Sequence, residues 1–422
     1  MKPFRKPIPD RPHGWLAASL LLTLGGPLWA VDLDLELRSS WPFFPRGPAQ
    51  AVAVSGSYAY AVVNNYAAYG LQVIDISDPT LPQQVAVHDT SSPASDVTVL
   101  GDRAFLADGC YGLQVLDVSN PATPRWLGGY DTSGQAKAVA VSGDYAYLAD
   151  GEEGLQVIDI SNPTSPQRVC TVTNMLNAHA VAVSGSYAFV AGSWFEGTNR
   201  LAGFRVIDIS DPAEPQPVGG YDTSGDVHAV AVSGHYAYVA EGHGPDADGL
   251  YTIDISSPAN PRWVGFHDTQ YEPSDVAVAG RYAYLVSWVS TTLTFSALEV
   301  FDVSDPANPQ PLAATDIGGV AVALSGHTAY VVYLGGAMAS RPQALLAIDI
   351  RLSPRIESAE FGGNVFRLVF RGEAGRTIRL QRSPDLKTWE DWVILTATGD
   401  SQAVADPSAG SHPCQFYRAV GQ

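Results

Sequence analysis

Apolar and polar positions alternate in short runs along most of this chain, and Gly, Pro, Asn or Asp interrupts them every few residues. Alternation with period two predicts strands, and the interruptions predict turns. In 138–172 the order is plain. AVAV (138–141) and YAYLA (145–149) are two strands joined by a tight link. LQVIDI (155–160) is a third strand. After the Pro-rich turn SNPTSP comes a fourth, RVCTV (168–172). These strands are called A, B, C and D. Strand C is apolar at successive positions, as a strand covered on both faces must be.

The unit recurs. The Asp within V-I-D-I-S stands at Asp75, Asp117, Asp159, Asp208, Asp254, Asp302 and Asp349. The Gly of the A–B link stands at Gly56, Gly101, Gly143, Gly185, Gly234, Gly280 and Gly326. From each Asp to the next Gly the step is 26 residues five times and then 24, whereas the step from each Gly to its own Asp varies from 16 to 23. Nearly all length variation therefore falls in the B–C half. Four antiparallel strands repeated seven times predict a seven-bladed β-propeller. The seventh copy has no D strand before the pattern changes near 352. The alternating segment 31–39, VDLDLELRS, can supply it, pairing near Leu345–Ile350 and closing the ring.

These residues carry a family resemblance. GLQVIDISDPTLPQQVAVHDT and its relatives resemble the LVIVD repeat, over about 50–350, with Phe301 and Ala347 among the departures within the V-I-D core. The resemblance implies a propeller of an exported or cell-surface protein, and it implies no catalytic residues. The tail 353–422 is a separate domain, with NVFRLVF, RTIRLQRS, WVILTAT and CQFYRAV as its strands. Leu380 to Leu386, Trp389 and Phe416-Tyr417-Arg418 resemble a C-terminal β-module of large exported bacterial proteins. A small β-sandwich with Trp389 and Trp392 at its core and rim is expected.

Residues 1–30 read as a signal peptide. Lys2, Arg5, Lys6 and Arg11 precede the apolar run GWLAASLLLTLGGPLWA, which is too short to span a bilayer, and Ala30 is small enough for a cleavage point. A secreted, periplasmic or cell-surface protein follows, with no transmembrane segment after signal removal. The net charge of −19 over 422 residues argues against nucleic acid and against anionic membranes. Cys110, Cys170 and Cys414 make an odd number and imply no disulfide framework.

A residue present in every copy serves the blade. The recurrent Asp is therefore expected to hold the turn after strand C through a buried bond. Asp89, Asp131, Asp222 and Asp268 are expected to cap the D–A links. Function is sought where copies differ. The B–C and D–A links share one face, and loops on a rigid scaffold carry binding residues. The long B–C segments 192–203, 241–249, 287–297 and 334–344 offer Trp194, Phe195, Arg200, His243, Trp288 and Arg341 as exposed candidates. Asp246 and Asp248 have a calcium-like look but too few oxygen ligands for a calcium loop, so no cofactor is expected. At the channel mouth, the residue six before the landmark Gly is Lys137, His179 and His228 in three adjacent copies, with Asp96 and Asp275 one step further along in theirs. A donor-lined arc there would suit an anion or a sugar.

H-E-x-x-H, G-x-S-x-G, Walker A and G-x-G-x-x-G are absent. The reading is a non-enzymatic interaction propeller for a protein or glycan partner. The alternative is a carbohydrate-active or other hydrolytic propeller acting at the channel mouth, since carboxylate pairs meet in space and not in sequence.

Overall fold

The computed structural model describes residues 33–42, 49–65, 68–173, 176–196, 199–242, 248–269, 271–288, 297–315, 317–333, 344–352, 355–362, 365–371, 377–383, 390–398, 402–406 and 416–421. The signal-peptide reading of 1–30 and Cys414 lie outside them. Seven four-stranded sheets form the propeller, each antiparallel and in the order A-B-C-D. Blade three is typical: Ala138–Ser142, Tyr145–Ala149, Leu155–Asp159 and Gln167–Val172. The A–B link turns on the landmark glycine, whose φ is 57° in blade three and 56–59° in all seven blades. A Cβ at Gly143 would meet nothing within 4 Å, so backbone conformation and not space demands glycine there.

The B strands carry an aromatic residue at one fixed position. Tyr60, Phe105, Tyr147, Phe189, Tyr238, Tyr284 and Tyr330 are all buried. Each interblade core unites such a ring with the apolar residues flanking the recurrent Asp of the next blade. Tyr147 shares a cluster with Ile207 and Ile209, and Phe189 with Ile253 and Ile255. The LVIVD-like spelling of strand C is therefore half of a blade-to-blade contact. Burying these side chains is the main favourable term, at about 25 cal/mol per Å² of apolar surface.

The recurrent Asp holds the turn after strand C by a bond two residues on: the Ser161 amide donates to Asp159 Oδ1 at 2.8 Å and the Ser210 amide to Asp208 Oδ1 at 2.9 Å. These bonds are exposed, which corrects the expectation of a buried partner. The D–A link at Asp222 differs from expectation too. The threonine after the Asp makes the capping bond, with Thr90 Oγ1 donating to the Ser92 carbonyl and Thr223 Oγ1 to the Gly225 carbonyl. Asp222 instead accepts from Arg205 Nη1 at 2.8 Å.

Blade seven is built from Ala321–Ser325, Thr328–Tyr333 and Ala344–Leu352, and its fourth strand is Leu33–Pro42 from the start of the chain. The expected closure is found, three residues longer at its C-terminal end. Arg38 Nη2 donates to Asp349 Oδ2 at 2.7 Å, tying the strand to blade seven. Ser39 Oγ donates to the Pro79 carbonyl at 2.5 Å, tying it to blade one. Beneath them Tyr330, Val332 and Leu345 of blade seven share a core with Val63 and Ile74 of blade one.

Contacts separate Leu35–Ile350 from Arg351–Gln422. The C-terminal part forms two three-stranded sheets. One holds Arg355–Gly362, Val365–Arg371 and Gln402–Asp406. The other holds Glu390–Thr396, Thr377–Ser383 and Phe416–Gly421. Leu368, Phe370, Ile378 and Leu380 are buried between them, with Trp392 packed against that core. Trp389 lies outside the described residues.

Candidate functional site

Around the channel, the five candidate side chains come from the inner A strands and their leading links, and each reaches to the next blade. Lys137 Nζ donates to Asn177 Oδ1 at 2.5 Å. His179 Nδ1 lies 3.0 Å from the Asn177 carbonyl, and its Nε2 bonds the Val227 carbonyl of blade five. His228 Nε2 lies 3.3 Å from Glu272 Oε1 of blade six. Burial holds the Lys137 ammonium below its ordinary range, partly offset by the Glu152 charge. The three residues occupy the expected equivalent positions, but their polar ends point along the ring.

Asp96 and Asp275 follow the same rule with backbone partners. Asp96 accepts from its own neighbour Val97 at 2.8 Å and from the Val139 amide of blade three at 2.9 Å. Asp275 repeats the pattern with Val276 at 2.8 Å and Val322 of blade seven at 2.9 Å. The other five blades carry Ala at this step: Ala51, Ala138, Ala180, Ala229 and Ala321. Desolvation raises Asp96 to about 6 and Asp275 to about 7 despite the amide bonds, and the charge of Asp96 adds to the rise at Asp275.

The B–C side holds the main departure from the sequence reading. In blade four the long segment is a continuation of the sheet. Tyr187–Glu196 pairs with Asn199–Asp208 through Glu196↔Asn199. Trp194 therefore sits in a strand and is only 8% exposed, with the Arg205 guanidinium 3.4 Å above its ring. The physical reason is that Ser193, Trp194, Phe195 and Glu196 each find a register partner in the returning strand, so hairpin pairing satisfies the backbone better than a loop does. Phe195 and Arg200 face each other in register; their side chains and that of Trp288 lie outside the description. His243, Asp246 and Arg341 lie outside the described residues. Asp248 is half-buried, and its carbonyl accepts the Thr269 amide at 2.9 Å. Among the described residues no group of three or more His, Cys, Asp or Glu is arranged to hold a metal ion.

One cleft was not foreseen. It lies between blades one and two, holds about 400 Å³, and is lined by His88–Ser91, Asp108, Tyr111, Gln114, Trp126 and Asp131 among others. Tyr111 is 46% and Trp126 57% exposed, unusual for large aromatics. Asp108 at its floor is 1% exposed. Burial pushes Asp108 up to about 7, against the lowering pull of the Ser92 and Ser91 amides. The only sequence signal was Trp126 in a position where blade three has Arg168.

The model of the LVIVD repeat matches this sequence at residues 46–90, 92–132, 133–174, 177–223, 224–269 and 272–312, more than half of the chain. The chain belongs to the LVIVD-repeat family. The six matched LVIVD repeats are blades one to six, and blade seven completes the ring by geometry. Among solved structures, the WD40 repeats of RRP9 superpose with a TM-score of 0.57 at 12% identity, covering 76% of this chain and 99% of that one. U3-55K gives 0.56 at 12%, covering 75% and 98%. A functionally unknown protein from Desulfotomaculum acetoxidans DSM 771 gives 0.52 at 13%, covering 65% and 89%. At such identities the likeness is one of fold alone. No curated protein matches the sequence. Among the described residues of this LVIVD propeller, no helix is long and apolar enough to cross a membrane.

Proposed function

We propose that this LVIVD propeller is an exported, non-enzymatic binding protein whose B–C and D–A face receives a protein or glycan partner. The observation that carries the reading is the division of labour between the two ends of the blades. The A–B hairpins are the same in every blade, two residues long with the landmark glycine at positive φ. The B–C side varies among the described blades, from the short turn that blades two and three share, Gly109–Gly112 and Gly151–Gly154, to the ten-pair hairpin of blade four. A scaffold that holds one end constant and varies the other has the organisation of a recognition surface. The cleft between blades one and two takes in the D–A residues His88–Ser91 and the B–C residues Asp108 and Tyr111 of that varied end.

The channel residues favour binding over hydrolysis as the reading. A general acid and base must reach a substrate, and Asp96, Asp275 and His179 are each engaged by neighbouring backbone. Export rests on the basic and apolar pattern of residues 1–30.

The test is a glycan and peptide array probed with the purified protein and with a variant whose blade-four segment 192–203 is replaced by the short link of blade three. Array ligands retained by the intact protein and lost by the variant, at similar melting temperature, support the reading. Hits that survive this change and every other shortening of B–C links contradict it. Fractionation of a C-terminally tagged chain with and without 1–30 tests export.

A further inference from the structure

We infer that the cleft between blades one and two is a subsite for a protonated primary amine, held between the Trp126 and Tyr111 rings and the carboxylate of Asp108. This inference rests on the proposed binding role of the same face and names the chemistry that one part of it reads.

The argument starts from a comparison of two neighbouring blades. In blade three the residue equivalent to Asp108 is Asp150, and both its oxygens have partners: Thr132 Oγ1 donates to Oδ1 at 2.9 Å and Gln156 Nε2 to Oδ2 at 3.2 Å. Gln156 is held over the carboxylate by Thr171 Oγ1, which donates to its Oε1 at 2.7 Å. That small closed network is what a buried carboxylate requires. Blade two has the same Asp and the same Gln but has lost the closure: Thr90, the counterpart of Thr132, donates to the Ser92 carbonyl instead. Gly129 stands where Thr171 would supply the hydroxyl, and Trp126 stands in place of Arg168. The Trp126 indole donates to Gln114 Oε1 at 2.8 Å, and Gln114 Nε2 donates to the Tyr111 carbonyl at 3.0 Å. The amide is drawn outward to the aromatic wall. Asp108 Oδ1 is left buried with no hydrogen-bond partner.

Such an atom is costly, of the order of 1–3 kcal/mol when its bond is left unmade, and here the residue that carries it lines a cavity large enough for a ligand group. The rest of the lining says which kind. Asp89 and Asp131 add two more carboxylates at the rim, and no Lys or Arg lines the cleft. The two exposed rings offer the negative faces that attract an organic cation. The tie between the Trp126 indole and Gln114 fixes the ring's orientation in advance, so little side-chain freedom is lost on binding. A bare metal ion does not fit, because the carboxylates are not grouped for coordination and aromatic walls contribute no oxygen ligands. An anionic group would meet three carboxylates. A primary ammonium matches each wall: three donors for the carboxylates and a positive charge for the rings. A lysine side chain and an amino sugar both present that group.

The experiment titrates the purified protein with four probes and follows the Trp126 indole Nε1–H resonance, assigned by its loss in Trp126→Phe. The probes are Ac-Gly-Lys-Gly-NH2, its norleucine counterpart, glucosamine and glucose. The expected result is a saturable shift with the lysine peptide, glucosamine or both, about tenfold tighter than with the matched neutral probe. Whichever amine binds more tightly identifies the source. Asp108→Asn weakens that binding by about tenfold or more. Trp126→Arg, an exposed position that spares the core, abolishes it. Equal binding of neutral and amino probes overturns the inference, as does no shift with either amine, or binding indifferent to both substitutions. If array-selected partners still bind the B–C face while amines do not, this inference falls and the proposed function stands.

Discussion

Asp96 and Asp275 occupy the same step of the repeat in blades two and six, and the charge of one raises the pKa of the other. Each also bonds the backbone of the following blade. Raised to about 6 and about 7, both carboxyls favour the folded state in their protonated form. The stability they contribute is fully present below the unfolded Asp value near 3.8 and is lost as pH rises through 6 to 7. Thermal melts from pH 5 to pH 8 therefore give a melting temperature that falls by a few degrees across this window. In an Asp96→Ala/Asp275→Ala variant the fall is much reduced. An equal fall in the variant assigns the effect to other groups.

Closure by the first strand gives a second expectation. Deleting 33–42 exposes the apolar edge of Ala344–Leu352 and lowers stability by several kcal/mol, from the lost burial at about 25 cal/mol per Å². Arg38→Ala is milder, about 1–3 kcal/mol, because it leaves Asp349 short of its charged partner. Urea unfolding read by tryptophan fluorescence measures both. A deletion with an unchanged midpoint rules out strand closure.

Trp194 and Asp159 rank opposite to the sequence expectation. Trp194→Ala removes a buried ring and its stacked guanidinium, costing about 3 kcal/mol. Asp159→Ala loses one exposed turn bond, costing about 0.5–1 kcal/mol. Calorimetry on the two variants decides the order. A larger loss for Asp159 would mean the turn bond is far stronger than its exposure implies.

The ring was legible because its signals are local. A glycine needing positive φ, a strand alternating with period two and an Asp bonding two residues on are each written within a few letters. Even closure could be read, since the seventh copy lacks a strand that 31–39 can supply. The site was less legible because its geometry is relational. Lys137, His179 and His228 fall at equivalent positions as the spacing says, but spacing cannot reveal that each points to the next blade. Trp194 looked exposed because variable length was equated with loop, whereas backbone pairing carries the two strands on as far as Glu196↔Asn199. Asp108 was passed over because it looks like Asp150. The exchange of Thr171 for Gly129 and of Arg168 for Trp126, together with the turn of Thr90 to the Ser92 carbonyl, separates them, and the consequence is a missing bond between side chains distant in sequence.

Asn177 has a φ of 65°, unusual for a residue other than glycine, while its side chain takes the Lys137 ammonium. Asn177→Gly keeps the backbone and loses the bond; Asn177→Ala loses both. Alanine is therefore the less stable variant, by about 1 kcal/mol. Equal midpoints in urea would show that the conformation costs nothing there.

The central claim is that the varied face, and not the uniform one, meets the partner. Hydrogen exchange on the complex with the strongest array ligand tests it most directly. The account predicts new protection in the D–A and B–C segments, such as 88–92, 108–112 and the tip of the blade-four hairpin, and none at the A–B links around Gly56, Gly101 and Gly143. Protection centred on the A–B links, with the opposite face unchanged, would contradict it.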